Sequence, residues 1–109
     1  MDKFPDELSK INCLKIIEEK QKLMLKNIRA EFTEKIYKAL ENCDKDIILE
    51  FNDKMFSEHK ITITEELLDK FGELYLVTVN DHNTIIKYTT NKKEIPTTLK
   101  KIKIKLYEN

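Results

Sequence analysis

A long stretch of helix-favouring residues without glycine or proline decides the fold. It covers residues 8–43 and reads LSKINCLKIIEEKQKLMLKNIRAEFTEKIYKALENC. Most of these residues are Lys, Glu, Leu, Ile, Ala, Gln or Met, which favour the helical state. Pro5 precedes the stretch, and Asp6 and Glu7 place negative charge where it stabilises a helix N-terminus. The sequence therefore predicts one long amphipathic helix over residues 6–43.

The apolar residues of this helix recur at steps of three, four and four, which is an eleven-residue period. That period corresponds to about 3.67 residues per turn, so the apolar stripe follows one side of a nearly straight helix. A helix hairpin broken near Lys26 and Asn27 is the alternative, but no Gly or Pro supports a turn there. The stripe consists of Leu14, Ile17, Gln21, Leu25, Ile28, Phe32, Ile36, Ala39 and Cys43.

A helix of this length extends beyond what one small domain can cover. At 1.5 Å per residue it would span about 50 Å. We therefore expect its N-terminal part to pack against another chain, either a second copy or a different protein. The predicted interface residues are Ile11, Leu14, Ile17 and Leu25, and Leu25 also belongs with Ile28 and Phe32 as a residue that packs the helix onto its own domain.

The second half of the chain reads as a compact unit of strands with one short helix. Residues 47–51, with the sequence IILEF, are rich in apolar and β-branched side chains and predict a strand. A short helix is predicted over residues 65–71, with Thr64 as its N-cap and Gly72 as its left-handed stop. Cys43, at the end of the first helix, is expected to be a small buried apolar residue.

Three further strands are expected after this helix. Two β-rich runs, 74–79 and 84–89, are separated by the turn-type residues 80–83 and predict a hairpin. Residues 100–107 alternate between apolar residues and lysines, which predicts a half-buried strand at an edge of the sheet. The fold class is therefore α+β, a single domain over residues 1–109 in which a long helix precedes a small, largely antiparallel sheet.

The composition and the absence of known motifs limit the classes of function that the sequence predicts. The chain has 109 residues, and its 20 basic and 20 acidic side chains cancel. No membrane span and no signal peptide are evident, so an intracellular, cytoplasmic protein is expected. Cys13 and Cys43 make no disulfide framework, and no motif indicates a metal or another cofactor. Ser57-Glu58-His59 reads as a polar surface loop rather than a catalytic site, and we expect no enzymatic activity.

The lysines near the C-terminus support an alternative function. On one strand face and its preceding loop they could neutralise phosphates, which would give weak nucleic-acid binding without sequence preference. Base-specific contacts are not expected, because arginine makes the commonest of them and Arg29 is the only arginine of the chain. The residues concerned are Lys92, Lys93, Lys100, Lys101, Lys103 and Lys105.

Parts of the sequence resemble a small helix–strand–helix–hairpin domain that recurs in uncharacterised proteins of large DNA viruses and bacteriophages. The resemblance covers about residues 28–89 and rests on residues 36–49, 63–72 and 83–87, with Gly72-Glu73-Leu74-Tyr75 in place of the usual Gly-Tyr pair. It implies a viral accessory or virion protein and assigns no site residues. The expectation is thus a non-enzymatic structural or interaction protein, a homo-oligomer through its N-terminal helix.

Overall fold

A computed structural model describes residues 3–78, 85–89, 95–96 and 98–106. Within these residues the chain forms two helices and four strands in the order α1, β1, α2, β2, β3, β4. The predicted α+β class is confirmed: a long N-terminal helix, a second helix and a four-stranded antiparallel sheet. The elements are α1 (Lys10–Glu41), β1 (Asp46–Glu50), α2 (Ser57–Phe71), β2 (Glu73–Thr78), β3 (Ile85–Thr89) and β4 (Leu99–Lys105).

Helix α1 is continuous, as predicted, but it is shorter at both ends than residues 6–43. It begins after Ser9, whose hydroxyl oxygen accepts a hydrogen bond of 3.2 Å from the backbone N–H of Asn12. Because this cap satisfies a backbone donor that would otherwise be unpaired, it fixes the start of the helix. Asp6 and Glu7 therefore lie before the helix and not in its first turn.

Helix α2 is twice as long as the predicted helix over residues 65–71, because it begins at Ser57. The expected cap was wrong: Phe56 holds the N-cap position, and Thr64 is a fully buried residue inside the helix. Its hydroxyl donates a hydrogen bond to the Lys60 carbonyl one turn earlier. The predicted stop is confirmed, since Gly72 ends the helix with a φ of +75°.

The strands form one antiparallel sheet in the order β1-β4-β2-β3. The predicted hairpin is confirmed as β2 and β3, although its turn, residues 80–83, lies outside the described part of the chain. The predicted edge position of the last strand was wrong. Strand β4 lies between β1 and β2 and pairs with both, so β1 and β3 form the edges.

Both helices pack on one face of this sheet and run in the same direction. Leu25 of α1 lines a groove with His59 of α2, and further along Ile36 lines a groove with Lys70. The hydrophobic core lies between these helices and the sheet. Its buried members are Ile28, Phe32, Ile47, Leu49, Phe51, Ile63, Leu68, Leu74, Leu76, Tyr88, Ile95, Leu99, Ile102 and Ile104.

The molecule is elongated because α1 is longer than this core. Its extents are 68 × 30 × 25 Å and its radius of gyration is 17.7 Å. A compact domain of this length would have a radius of gyration of about 13 Å.

Candidate interaction surface on the N-terminal part of α1

Burial along α1 changes abruptly near its middle. The buried residues of the helix are Ile28 and Phe32, and Leu25, Ile36 and Ala39 pack partly buried against the same core. Between Lys10 and Lys20 every side chain is exposed except that of Cys13, which is half-buried. The core therefore supports only about the C-terminal half of the helix.

Three of the predicted interface residues lie on this unsupported part. Ile11, Leu14 and Ile17, called the N-terminal stripe below, expose 68%, 52% and 50% of their surface. Leu14 and Phe32 are eighteen residues apart, which is five helical turns, so they lie on the same side of α1. The N-terminal stripe thus continues the core-facing side of the helix past the end of the core.

Leu25 lies at the end of this surface. It is half-buried and packs against the core, and it lines a groove with Gln21, His59 and Thr62 where α2 begins. The structure therefore places Leu25 at the boundary between the domain and the exposed stripe.

Further apolar side chains surround the stripe. Leu8 and Phe4 are exposed just before the helix, and Met24 is exposed beside the groove that contains Ile28 and Phe56. Phe4 and Leu8 were not among the expected interface residues. Isolated exposed apolar residues are ordinary, but a cluster on one end of a helix is typical of an interaction site.

The face opposite the stripe is also apolar in places. Ile16 and Leu23 expose 43% and 56% of their surface. Leu23 is nine residues from Leu14, which is two and a half turns, so the two leucines lie on opposite sides of α1. This face has similar residues but does not continue the core-facing side.

A bidentate ion pair joins α1 to α2. Arg29 donates hydrogen bonds of 2.8 and 2.6 Å to the two carboxylate oxygens of Glu66. These bonds lower the pKa of Glu66 below its ordinary value and raise that of Arg29. Sequence patterns could not predict this pair, because its members are 37 residues apart. It holds the two helices together and leaves the N-terminal stripe untouched.

Lys101, Lys103 and Lys105 of β4 face the side of the sheet away from the helices, because they alternate with the buried Ile102 and Ile104. Lys101 lies 3.9 Å from Glu50, and Lys103 lies 3.3 Å from Asp46. The ammonium group of Lys105 lies 4.5 Å from the ring centre of Tyr75. Lys100 is half-buried, and the last two candidates, Lys92 and Lys93, lie outside the described residues.

The residues considered for chemistry are not assembled into a site. Ser57-Glu58-His59, expected in a surface loop, forms the first turn of α2, and His59 is buried against Phe56. Cys43, expected to be buried, is exposed, because it lies just past the end of α1. Among the described residues, no group of three or more His, Cys, Asp and Glu side chains could hold a metal ion.

Comparison with protein-family models, with curated proteins and with solved structures finds no match to this chain. Neither of the helices in the described part of the chain is long and apolar enough to cross a membrane.

Proposed function

We propose that this chain is a non-enzymatic structural or interaction protein that self-associates through the N-terminal stripe of α1. One observation carries the proposal: the apolar side of α1 continues for about three turns beyond the core that covers it. Burying Ile11, Leu14 and Ile17 would remove their apolar surface from water, which is the main driving force of association.

The nucleic-acid alternative has less support. A lysine that is paired with a carboxylate must give up that partner to bind a phosphate, and Lys101 and Lys103 lie beside Glu50 and Asp46. An accessory or virion role in a virus rests on the sequence resemblance alone and stays a prediction.

Sedimentation velocity of two double variants tests the proposal. The unmodified chain should sediment as a dimer or larger species at about 100 μM, where a micromolar association is near saturation. Leu14→Glu with Ile17→Glu should give a folded monomer, because four charges per dimer would be buried without partners. Circular dichroism checks that the variant keeps its fold.

The matched control uses the same residue types on the opposite face. Ile16→Glu with Leu23→Glu adds the same charge to the same helix at similarly exposed positions and should leave the association unchanged. Ile28→Glu should instead unfold the domain, since that side chain is 8% exposed and belongs to the core. A monomeric unmodified chain, or equal loss in both double variants, would contradict the proposal.

A further inference from the structure

We propose that the occupant of the N-terminal stripe is a second copy of the chain in antiparallel orientation, with the two-fold axis between Leu14 and Ile17. This inference rests on the proposed self-association and specifies its geometry. Leu14 of each copy then packs against Ile17 of the other, and the two folded units lie at opposite ends of the dimer.

The folded unit leaves no room for a parallel partner helix. The stripe lies on the core-facing side of α1, and on that side the space beyond Gln21 is already occupied by α2 and the sheet. A parallel partner helix would run from the stripe straight into this unit. An antiparallel partner runs the other way, past Lys10 and away from the first copy, so both folded units have room.

The polar residues at the two ends of the stripe also favour the antiparallel orientation. Lys10 and Gln21 lie on the same side of α1 as Leu14 and Ile17, since the four follow steps of four, three and four residues. In the antiparallel arrangement Lys10 of one copy comes level with Gln21 of the other, where the side-chain carbonyl can accept a hydrogen bond from the ammonium group. Parallel pairing would set Lys10 beside Lys10, and like charges repel.

The antiparallel orientation also makes the exposed apolar surface continuous between the two copies. In the antiparallel dimer the segment before α1, which carries the exposed Phe4 and Leu8, passes along the second copy beside its Met24. There a groove between α1 and the segment before α2 is lined by Met24, Ile28, Met55 and Phe56. The two-fold axis creates this contact twice, so the interface is larger than the stripe alone.

Disulfide trapping between two singly substituted chains tests the orientation. Both chains carry Cys13→Ser and Cys43→Ser; one then carries Lys10→Cys and the other, which is longer by a tag, carries Gln21→Cys. Mild oxidation of the mixture should give mixed dimers in at least about tenfold excess over either homodimer. Two cysteines whose Cα atoms are more than about 7 Å apart cannot form a disulfide without movement of the backbone. In an antiparallel dimer the two copies of Lys10 lie about 16 Å apart along the helix axis, and so do the two copies of Gln21.

The outcomes separate the orientation from the self-association itself. Homodimers linked through Lys10→Cys or through Gln21→Cys would show a parallel dimer and overturn this inference while leaving self-association intact. A chain that sediments as a dimer without any of these cross-links would also overturn it. A monomer in sedimentation would overturn both proposals. Leu23→Cys in place of Gln21→Cys is the control on the opposite face and should give no mixed dimer.

Discussion

Cys43 holds a backbone conformation that suits glycine better. Its φ is +58°, in the left-handed region, and its N–H donates to the Leu40 carbonyl while that of Asp44 donates to the Ala39 carbonyl. These two bonds form the motif that commonly ends a helix, and its left-handed position favours Gly because a side chain there crowds the backbone.

We therefore expect Cys43→Gly to stabilise the fold by about 1 kcal/mol. Urea unfolding followed by circular dichroism measures the difference. The neighbouring Asn42→Gly is the control: Asn42 has a φ of −85°, so glycine there relieves nothing and should destabilise the fold slightly. Equal effects of the two substitutions would contradict the assigned strain.

Sequence and structure agree on the residues whose burial follows the helical period. The stripe placed Ile28, Phe32 and Ile36 on the core-facing side of α1, and a period of this kind is a local property of the chain. Cys43 also fitted the period but lies past the end of the helix, where the period no longer applies. The contact of Arg29 with Glu66 depends on how two distant elements meet, which no local pattern contains.

At the scale of elements, the ion pair between Arg29 and Glu66 makes the packing of α1 on α2 depend on pH. The pKa of Glu66 is lowered in the folded state, chiefly by hydrogen bonds from Arg29. The unfolded state therefore binds a proton more readily than the folded state. The stabilisation is present above the ordinary pKa of a glutamate and is lost as the pH falls through the lowered value.

We expect Glu66→Gln to lower the free energy of unfolding at neutral pH by less than about 1 kcal/mol, because both side chains are partly exposed to solvent. The difference from the unmodified chain should shrink as the solution is made acidic enough to protonate Glu66. Urea unfolding at a series of pH values measures it, with the neighbouring Glu65→Gln as control. A difference that grows on acidification would contradict the assignment.

Helix α2 and strand β4 show why local sequence patterns predicted the type of an element better than its bounds or its position in the sheet. The first turns of α2 mix buried His59 with exposed Glu58 over too few residues for a clear helical period, so the start at Ser57 was missed. In β4 the alternation predicted one buried face, which is confirmed by Ile102 and Ile104. Alternation is the same for edge and central strands of a sheet covered on one side, so it could not place β4.

At the scale of the whole molecule, the core and the proposed association surface lie in different segments of the chain. Removal of residues 1–17 deletes the N-terminal stripe but stops short of Leu25, the first apolar residue of α1 that packs against the core. The remaining helix still presents its whole core-facing side to α2 and the sheet.

We therefore expect the chain without residues 1–17 to be a folded monomer whose free energy of unfolding differs by less than about 1 kcal/mol, the scale of changes away from the core. Sedimentation and thermal unfolding at low concentration, where the full chain is also monomeric, measure the two quantities. Loss of cooperative unfolding would show that the first seventeen residues belong to the domain, contrary to the burial pattern.

The central position of β4 also governs the order in which the chain can fold as it is synthesised. Strand β1 pairs with β4, and β2 pairs with it on the other side, yet β4 follows all the other described elements along the chain. Until β4 is synthesised, β1 lacks its partner strand, whereas α1 precedes β1 and is synthesised earlier. The proposed contact through α1 could therefore form between nascent chains before either has completed its sheet.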